Sequence, residues 1–463
     1  MSTPSHEAAA RRRYLTVTLL FWLPIGLATA PLVLLFTARG LGLGAVAGLF
    51  AVHSLTTAAL ELPTGGLSDV IGRRPVLAAA GVLDLVAFTL LALGEAYGVL
   101  LLGMALMGAG RALASGPAEA WYVDTVRAQA GPEADLRPGL ARGSATGSLA
   151  LAAGTLLGGA LPWLLSVLDV QDALDALNSM GSMGSLGGAT VLPLSVPPLI
   201  AAAVELAYVV QVWAALAEPE RPPAALRTVF RSVPATVLTG LRLGRRDAVV
   251  RRVLLTAAAT GVGLGAVELL TPGRAAELTG AAESGAGVVG LLSCAGFLCA
   301  ALGARLAPGA AGRSDGSRAV LLGLAACTAG VLLLAVTART AGPAAAAAAA
   351  FGYGLSYLGL GTAGPNQNAQ LHQRVPTETR ATALSVQSLA LQLCGALSGL
   401  ALALLPPGPP RWLLAATALA AAALLWTGHR PDGSPPVPVT APTGRRITGT
   451  RAGRSARGRS LRG

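Results

Sequence analysis

A chain of 463 residues with 53% apolar residues, only 12% charged residues and a mean hydropathy of +0.62 carries too little charge to clothe soluble domains, which average roughly 25% charged. Its net charge of +12 comes from 34 basic residues, all of them arginine, and with aromatics at 4% it lacks the basic face with exposed aromatics that nucleic-acid binding uses. Composition therefore excludes a string of soluble domains and a nucleic-acid partner, and it places most of the chain in lipid.

A bilayer core of about 30 Å takes roughly 20 apolar residues of helix. With that ruler the chain gives helical spans at 14–37, 43–64, 75–94, 98–122, 143–168 and 191–217, then at 248–271, 284–306, 318–338, 343–364, 381–405 and 411–428. The first follows Arg11-Arg12-Arg13 and is too long for the roughly 7–15-residue core of a signal peptide, so it reads as a retained span. The poly-alanine stretch 344–350 and the short last span carry the weakest apolar signal. Cys294, Cys299, Cys327 and Cys394 lie in apolar runs without zinc-ligand spacing and read as small hydrophobes, with no metal or disulfide implied.

The arginines test this topology independently, because positive loops resist translocation. With the N-terminus inside, the cytoplasmic segments and the cytoplasmic ends of the spans hold all the arginines except Arg111, in the interior of a span, and Arg39, Arg274, Arg339 and Arg411 outside. Twelve spans put both termini in the cytoplasm. The outer loop 169–190 carries Asp169, Asp172 and Asp175 and then a flexible Gly/Ser/Met stretch. Segment 218–247 alternates arginine with apolar residues, as a helix lying on the membrane surface does. The Pro/Gly/Arg-rich tail 429–463 has the composition of a disordered, solvated segment.

Self-similarity recurs at an offset of 240 residues. Arg11-Arg12-x-x-Leu15-Thr16 matches Arg251-Arg252-x-x-Leu255-Thr256, Gly72-Arg73 matches Gly312-Arg313, and Ser148-Leu149-Ala150-Leu151 matches Ser388-Leu389-Ala390-Leu391. The expected organisation is a cytoplasmic segment 1–13, a six-helix bundle 14–217, a linker 218–247, a second six-helix bundle 248–428 and the tail 429–463.

Between spans two and three stands Gly65-Gly66-Leu67-Ser68-Asp69-Val70-Ile71-Gly72-Arg73-Arg74. Glycine permits a tight turn, and Asp69 is expected near the start of the next helix, where the helix dipole favours a carboxylate. This run resembles the signature loop of the major facilitator superfamily, G-x-L-(A/S)-D-x-x-G-R-(R/K). The resemblance covers spans one to twelve. It implies an all-α membrane protein of twelve transmembrane helices in two pseudo-symmetric six-helix bundles, working by alternating access. It also implies that Gly65, Asp69, Gly72, Arg73 and Arg74 form a conformational latch. Span five adds Gly154-Thr155-Leu156-Leu157-Gly158-Gly159, which resembles the antiporter motif of drug–proton exporters with Thr155 in place of proline. Gly154, Gly158 and Gly159 would in any case allow close helix packing.

Ionisable residues inside spans cost at least ~2.5–3.5 kcal/mol each and are functional candidates by default. Arg111 resembles the buried span-four arginine of proton-coupled members and is expected to pair with Glu61 or Asp84. Asp84 and Glu205 fall near mid-membrane, while Glu61 and Glu119 lie toward the cytoplasmic side. Trp22, Tyr353, Tyr357, Gln387 and Gln392 are expected to line a mostly apolar cavity with few polar anchors. No Walker loop, H-E-x-x-H or G-x-S-x-G occurs, so neither ATP drive nor familiar hydrolase chemistry has support.

The expected function is secondary active transport, with proton-coupled efflux of drugs or amphipathic metabolites ahead of proton-coupled uptake of a sugar or other metabolite. A membrane sensor or membrane enzyme is the remote alternative. The expected setting is a functional monomer in a bacterial inner membrane, with a small-molecule substrate, no cofactor and the proton gradient as energy source.

Overall fold

The computed structural model describes residues 4–131, 133–168, 170–182, 190–217, 242, 244–245, 247–311, 316–375 and 377–427, with the side chains of 4–6, 62–66, 69, 171, 173, 177, 180–182 and 377–382 outside that description. The surface linker and the tail expected from sequence, and the Gly312-Arg313 copy, lie outside the described residues apart from 242, 244–245 and 247. Among the described residues the chain is helical throughout. The helices are α1 (Pro4–Ala38), α2 (Leu43–Ile71), α3 (Arg73–Leu93), α4 (Tyr97–Ala114), α5 (Pro117–Ala130), α6 (Arg137–Val167) and α7 (Gln171–Ser182). There follow α8 (Val196–Ala215), α9 (Ala248–Thr279), α10 (Ala282–Ala311), α11 (Ser317–Thr337), α12 (Pro343–Arg374), α13 (Thr377–Leu404) and α14 (Pro409–Leu424).

Eleven helical stretches are long and apolar enough to cross a membrane, with α4 and α5 forming one of them. The twelfth, α14, has only 16 residues, which agrees with the short last span expected. Leu149, Leu298, Val336 and Phe351 stand exposed on these helices, an arrangement that lipid solvates and water would not. An even number of crossings leaves the start of α1 and the end of α14 on one side, called here the terminal side.

Three expectations change. The fourth span is not continuous: α4 ends at Ala114, Gly116 takes a left-handed φ of 95°, and Pro117 opens α5. Proline at a first helical position and glycine at positive φ are what such a break needs. Segment 65–71 is not a loop but the last turns of α2, so Asp69 closes α2 instead of opening α3. The reversal is carried by Gly72 alone, at φ 106° and ψ 153°, a conformation barred to residues with a Cβ. The stretch 171–182 is helical, and its Asn178 accepts from the Val191 amide at 2.8 Å and donates to the Val191 carbonyl at 3.3 Å.

The 240-residue repeat is visible as packing. In the first half, Gly26 of α1 leaves room for the Leu151 carbonyl and Gly154 of α6. In the second, Gly261 of α9 leaves room for the Leu391 carbonyl and Gly395 of α13. Leu151 and Leu391 are the residues matched in sequence, so two halves use one backbone contact.

Clusters of buried apolar residues that join the halves lie away from the terminal side: Ala30 with Ala275 and Val289, Leu34 and Leu35 with Ala286, and Leu269 among Leu32, Val33 and Phe36. Toward the terminal side the main clusters stay within one half, such as Tyr14, Leu77, Trp121, Tyr122 and Tyr208. Among the described residues, the buried apolar packing between the halves is therefore concentrated at the far end.

The four arginines expected outside share one role. Arg39 donates to the Leu91 carbonyl at 2.8 Å, to the Ala92 carbonyl and to Ser195 Oγ at 3.3 Å. Arg274 donates to the carbonyls of Thr337, at 3.0 Å, and Thr340, while Arg339 reaches Pro407 at 3.1 Å and Arg411 reaches Leu405 at 3.0 Å. Each carbonyl lies at or beyond a helix C-terminus or in the adjoining turn, where orphan acceptors and the negative dipole end favour a cation. Arg39→Met is expected to cost about 1.5–3 kcal/mol, the worth of a hydrogen bond to a charged group, read as a lower melting temperature in nanodiscs.

At the same end, Glu95 accepts from the Thr190 amide at 3.0 Å, and that bond holds its carboxyl below the usual carboxylate range. A depressed carboxylate stabilises above its unfolded pKa, about 4.3, and that contribution is lost as pH falls through the folded value. Protection of the Thr190 amide, measured as its exchange relative to the intrinsic rate at each pH, is thus expected to weaken only in acid, and by a few-fold at most because the group is in solvent.

Candidate functional site

The broken fourth span positions the site. Helix α4 stops at mid-span, so its last turn presents Arg111 at a helix C-terminus, where the dipole favours a cation. Helix α5 then starts afresh with Glu119 in its first turn, the favoured place for a carboxylate. On α6, glycines at 139, 143 and 147 stand one turn apart and make room for rings. A Cβ at 139 would meet the Tyr122 ring, one at 143 the Tyr14 ring, and one at 147 would lie 3.0 Å from Trp22. Tyr14 and Tyr122 stack with centroids 4.9 Å apart, and Phe21 packs edge-on to Trp22 at 5.4 Å.

These features enclose a cavity of about 470 Å³, within the range of small-molecule sites. Its walls come from α1 (Tyr14, Phe21, Trp22), α2 (Thr57, Glu61), α4 and α5 (Arg111, Ser115, Glu119), α6 (Ser144, Ser148) and α8 (Tyr208), with Ser388 and Gln392 of α13 facing them from the second half. Ser148 and Ser388 are repeat-related and share the cavity. Ser388 Oγ donates to Glu61 Oε2 at 2.9 Å, a hydrogen bond between halves.

Of the residues singled out from sequence, Trp22, Glu61, Arg111, Glu119 and Gln392 come together on this wall. The others are placed elsewhere. Tyr353 is buried between α10 and α12, within 3.4 Å of Ser293 Oγ and stacked on Tyr357 at 4.9 Å. Gln387 donates to Asn368 Oδ1 at 3.3 Å. The expected ion pair of Arg111 with Glu61 or Asp84 is not formed: among the described residues no carboxylate lies within 4.0 Å of its guanidinium. Instead that group lies 5.3 Å from the Trp22 ring centroid, a cation–π contact. Arg111 projects from α4 onto the cavity, whereas Asp84 packs against Gly110, the residue before Arg111.

Asp84 and Glu205 form a separate pair. Gly81 of α3 abuts Tyr208 and Val209 of α8, a Cβ there lying 2.8 Å from Val209 Cγ2. The two helices run antiparallel, so three residues onward on α3 and three back on α8 bring Asp84 level with Glu205. They are 1% and 0% exposed, and among the described residues Asp84 Oδ1, both Glu205 carboxyl oxygens and Tyr208 Oη have no hydrogen-bond partner. Gly110 closes the pocket from α4, since a Cβ there would lie 2.8 Å from Asp84 Oδ2.

Arg73 forms an ion pair with Asp124 of α5, and Arg74 donates to the Trp213 carbonyl with its guanidinium 4.4 Å from that ring's centroid. Both tie α3 to its own half. The side chain of Asp69, and residue 65, lie outside the described side chains. Gly154 and Gly158 pack on α1 backbone at Leu23 and Leu27, whereas Gly159 faces the other half, its Cβ position falling against the Ala286 carbonyl and 3.0 Å from Gly290 Cα. Residues that sequence reasoning did not assign to the site are Tyr14, Ser144, Ser148 and Ser388; the four-residue glycine spacing on α6 signals the first three, and the repeat match with Ser148 signals Ser388. Glu268 of α9, a charge within span seven, comes within electrostatic range of Arg111 from the second half.

The sequence profile of the Major Facilitator Superfamily matches residues 14–399. No curated protein matches the chain by sequence. Among solved structures, the nucleoside transporter NupG superposes with a TM-score of 0.67 at 11% identity, covering 90% of this chain and 98% of that one. A bacterial homologue of the human lysosomal transporter Spinster, inward-facing and unoccupied, gives 0.68 at 15% identity, covering 92% and 97%. A D-xylose–proton symporter gives 0.64 at 15%, covering 91% and 98%. At these identities the likeness is one of fold.

Proposed function

The chain belongs to the major facilitator superfamily of secondary transporters, which are not enzymes, and from that premise we propose that it exports amphipathic small molecules in exchange for protons. The observation that carries this reading is the cavity of about 470 Å³, which sets an aromatic wall on α1 beside a few charged and hydroxyl groups. Polar anchors on an apolar wall suit drugs or secondary metabolites better than a fully hydroxylated sugar. In this reading the bundles 14–217 and 248–428, joined by linker 218–247, have both termini in the cytoplasm, so the far end where the halves pack together faces outward. The protein is then inward-open, poised to load a cytoplasmic substrate, as a monomer in a bacterial inner membrane.

In this reading Gly65, Asp69, Gly72, Arg73 and Arg74 act as the latch of the opposite state. The coupling proton resides within the charged set Arg111, Asp84, Glu61, Glu205 and Glu119. Gly154 and Gly158 hold α6 close against α1, and Gly159 packs it on α10 of the other half. The test is substrate-dependent proton flux in proteoliposomes with a panel of lipophilic compounds and sugars. Lipophile efflux driven by inward protons is the expected result, with loss of flux in Asp69→Ala. Sugar-driven proton symport would overturn the reading.

A further inference from the structure

Arg111 is the one cation in the described lining of the cavity, and among the described residues no acceptor is hydrogen-bonded to it. A guanidinium presents five N–H donors in a planar fork and cannot shed its proton inside a protein. Here no described acceptor is in hydrogen-bond geometry with it, and its ring contact with Trp22 satisfies none of those donors. A cation at mid-membrane without acceptors is costly unless water or a ligand hydrates it. The Arg111 fork therefore opens onto the cavity as an unfilled donor site.

The surrounding chemistry narrows what fills it. Glu61 is turned to the second half, where it accepts from Ser388, and does not engage Arg111 within ion-pair distance. Phe21 and Trp22 offer an edge-to-face pair of rings beside the fork. A planar carboxylate matches the fork in two parallel hydrogen bonds, which a spherical or neutral group does not. Glu61 and Glu119 on the same wall repel any anion, so the two directed hydrogen bonds of the fork must outweigh that repulsion, and a dianion is excluded.

We propose that Arg111 anchors the anionic group of the substrate, so that the compound carried is an amphipathic monocarboxylate whose ring system lies along Phe21 and Trp22. This rests on the cavity being the transport site, but on neither the direction of transport nor proton coupling.

The test uses the full chain in nanodiscs and three matched probes, naphthylacetate, naphthylacetamide and naphthylethylamine, with affinity read by isothermal titration calorimetry. Naphthylacetate is expected to bind at least ~10-fold more tightly than either of the others. In Arg111→Gln the preference for naphthylacetate over naphthylacetamide falls to within ~2-fold. Equal affinities for the three, or preference for the amine, would overturn the assignment and leave the cavity as a substrate site. Absence of binding by all three overturns the cavity reading and the assignment with it. Because the wild-type series is decisive by itself, a failure of Arg111→Gln to fold does not block the result. Arg111→Lys then adds a check, since a charge without the fork is expected to retain only part of the preference.

Discussion

Replacing Gly159 with valine is expected to stop transport while leaving a folded protein in the membrane, whereas Gly158→Val lowers thermal stability. The two glycines are neighbours in α6 but face different partners. Gly158 sits against the Leu27 backbone of α1, in its own half, so any side chain there must push two permanently packed helices apart. Such overpacking costs typically about 1–3 kcal/mol of fold stability. Gly159 sits against Ala286 and Gly290 of α10, in the other half. A transporter that alternates parts this contact in its opposite state, so the valine penalty falls on one conformation only. A bias of about 1–3 kcal/mol shifts a two-state equilibrium by roughly 5- to 150-fold. The measurement pairs melting temperature with reagent accessibility of a cysteine at Ser148 from each side of the membrane. Unchanged access from the terminal side in Gly159→Val would refute this account.

The second large effect is a gain. Exchanging Asp84→Leu together with Glu205→Met is expected to stabilise the fold by about 1–4 kcal/mol, as replacement of buried charged groups by apolar ones of similar shape often does. The reason lies in the α3–α8 interface, where Asp84 Oδ1 and both Glu205 carboxyl oxygens are buried without a hydrogen-bond partner. Each unpartnered buried polar group costs about 1–3 kcal/mol. Leucine has the branched shape of aspartate, so the space left by Gly110 is respected. If the pair serves transport, the stabilised variant loses flux as it gains melting temperature. A fall in melting temperature would instead show that the acids hold the helices together.

Much of the architecture is legible without coordinates because membrane insertion is decided locally. A run of about 20 apolar residues must be helical in lipid, where each backbone group needs an internal partner. Span number, the short last helix and the repeat that sets Leu151 against Leu391 follow from such local rules. The turn after α2 is legible too, because a single-residue reversal at φ 106° calls for glycine, and Gly72 supplies it. Even the break in span four is written as Ser115-Gly116-Pro117, although apolar content alone ran through it. Arg111 stood out as a charge within a span for the same reason.

Partners across helices depend on register and facing, which no stretch of sequence carries alone. Arg111 was matched by charge to Glu61 or Asp84, yet it projects onto the cavity, whereas Asp84 packs against Gly110, level with Glu205. Tyr353 and Tyr357 looked like cavity aromatics, but they are absorbed in the packing of α10 on α12. The four arginines at the far end broke the charge rule until their carbonyl partners were visible. From its sequence alone, then, this protein is a twelve-span helical repeat with charge inside the membrane. Tertiary structure alone decided which charge meets which, because the cost of a buried charge depends on the atoms within a few ångströms of it and not on its neighbours along the chain.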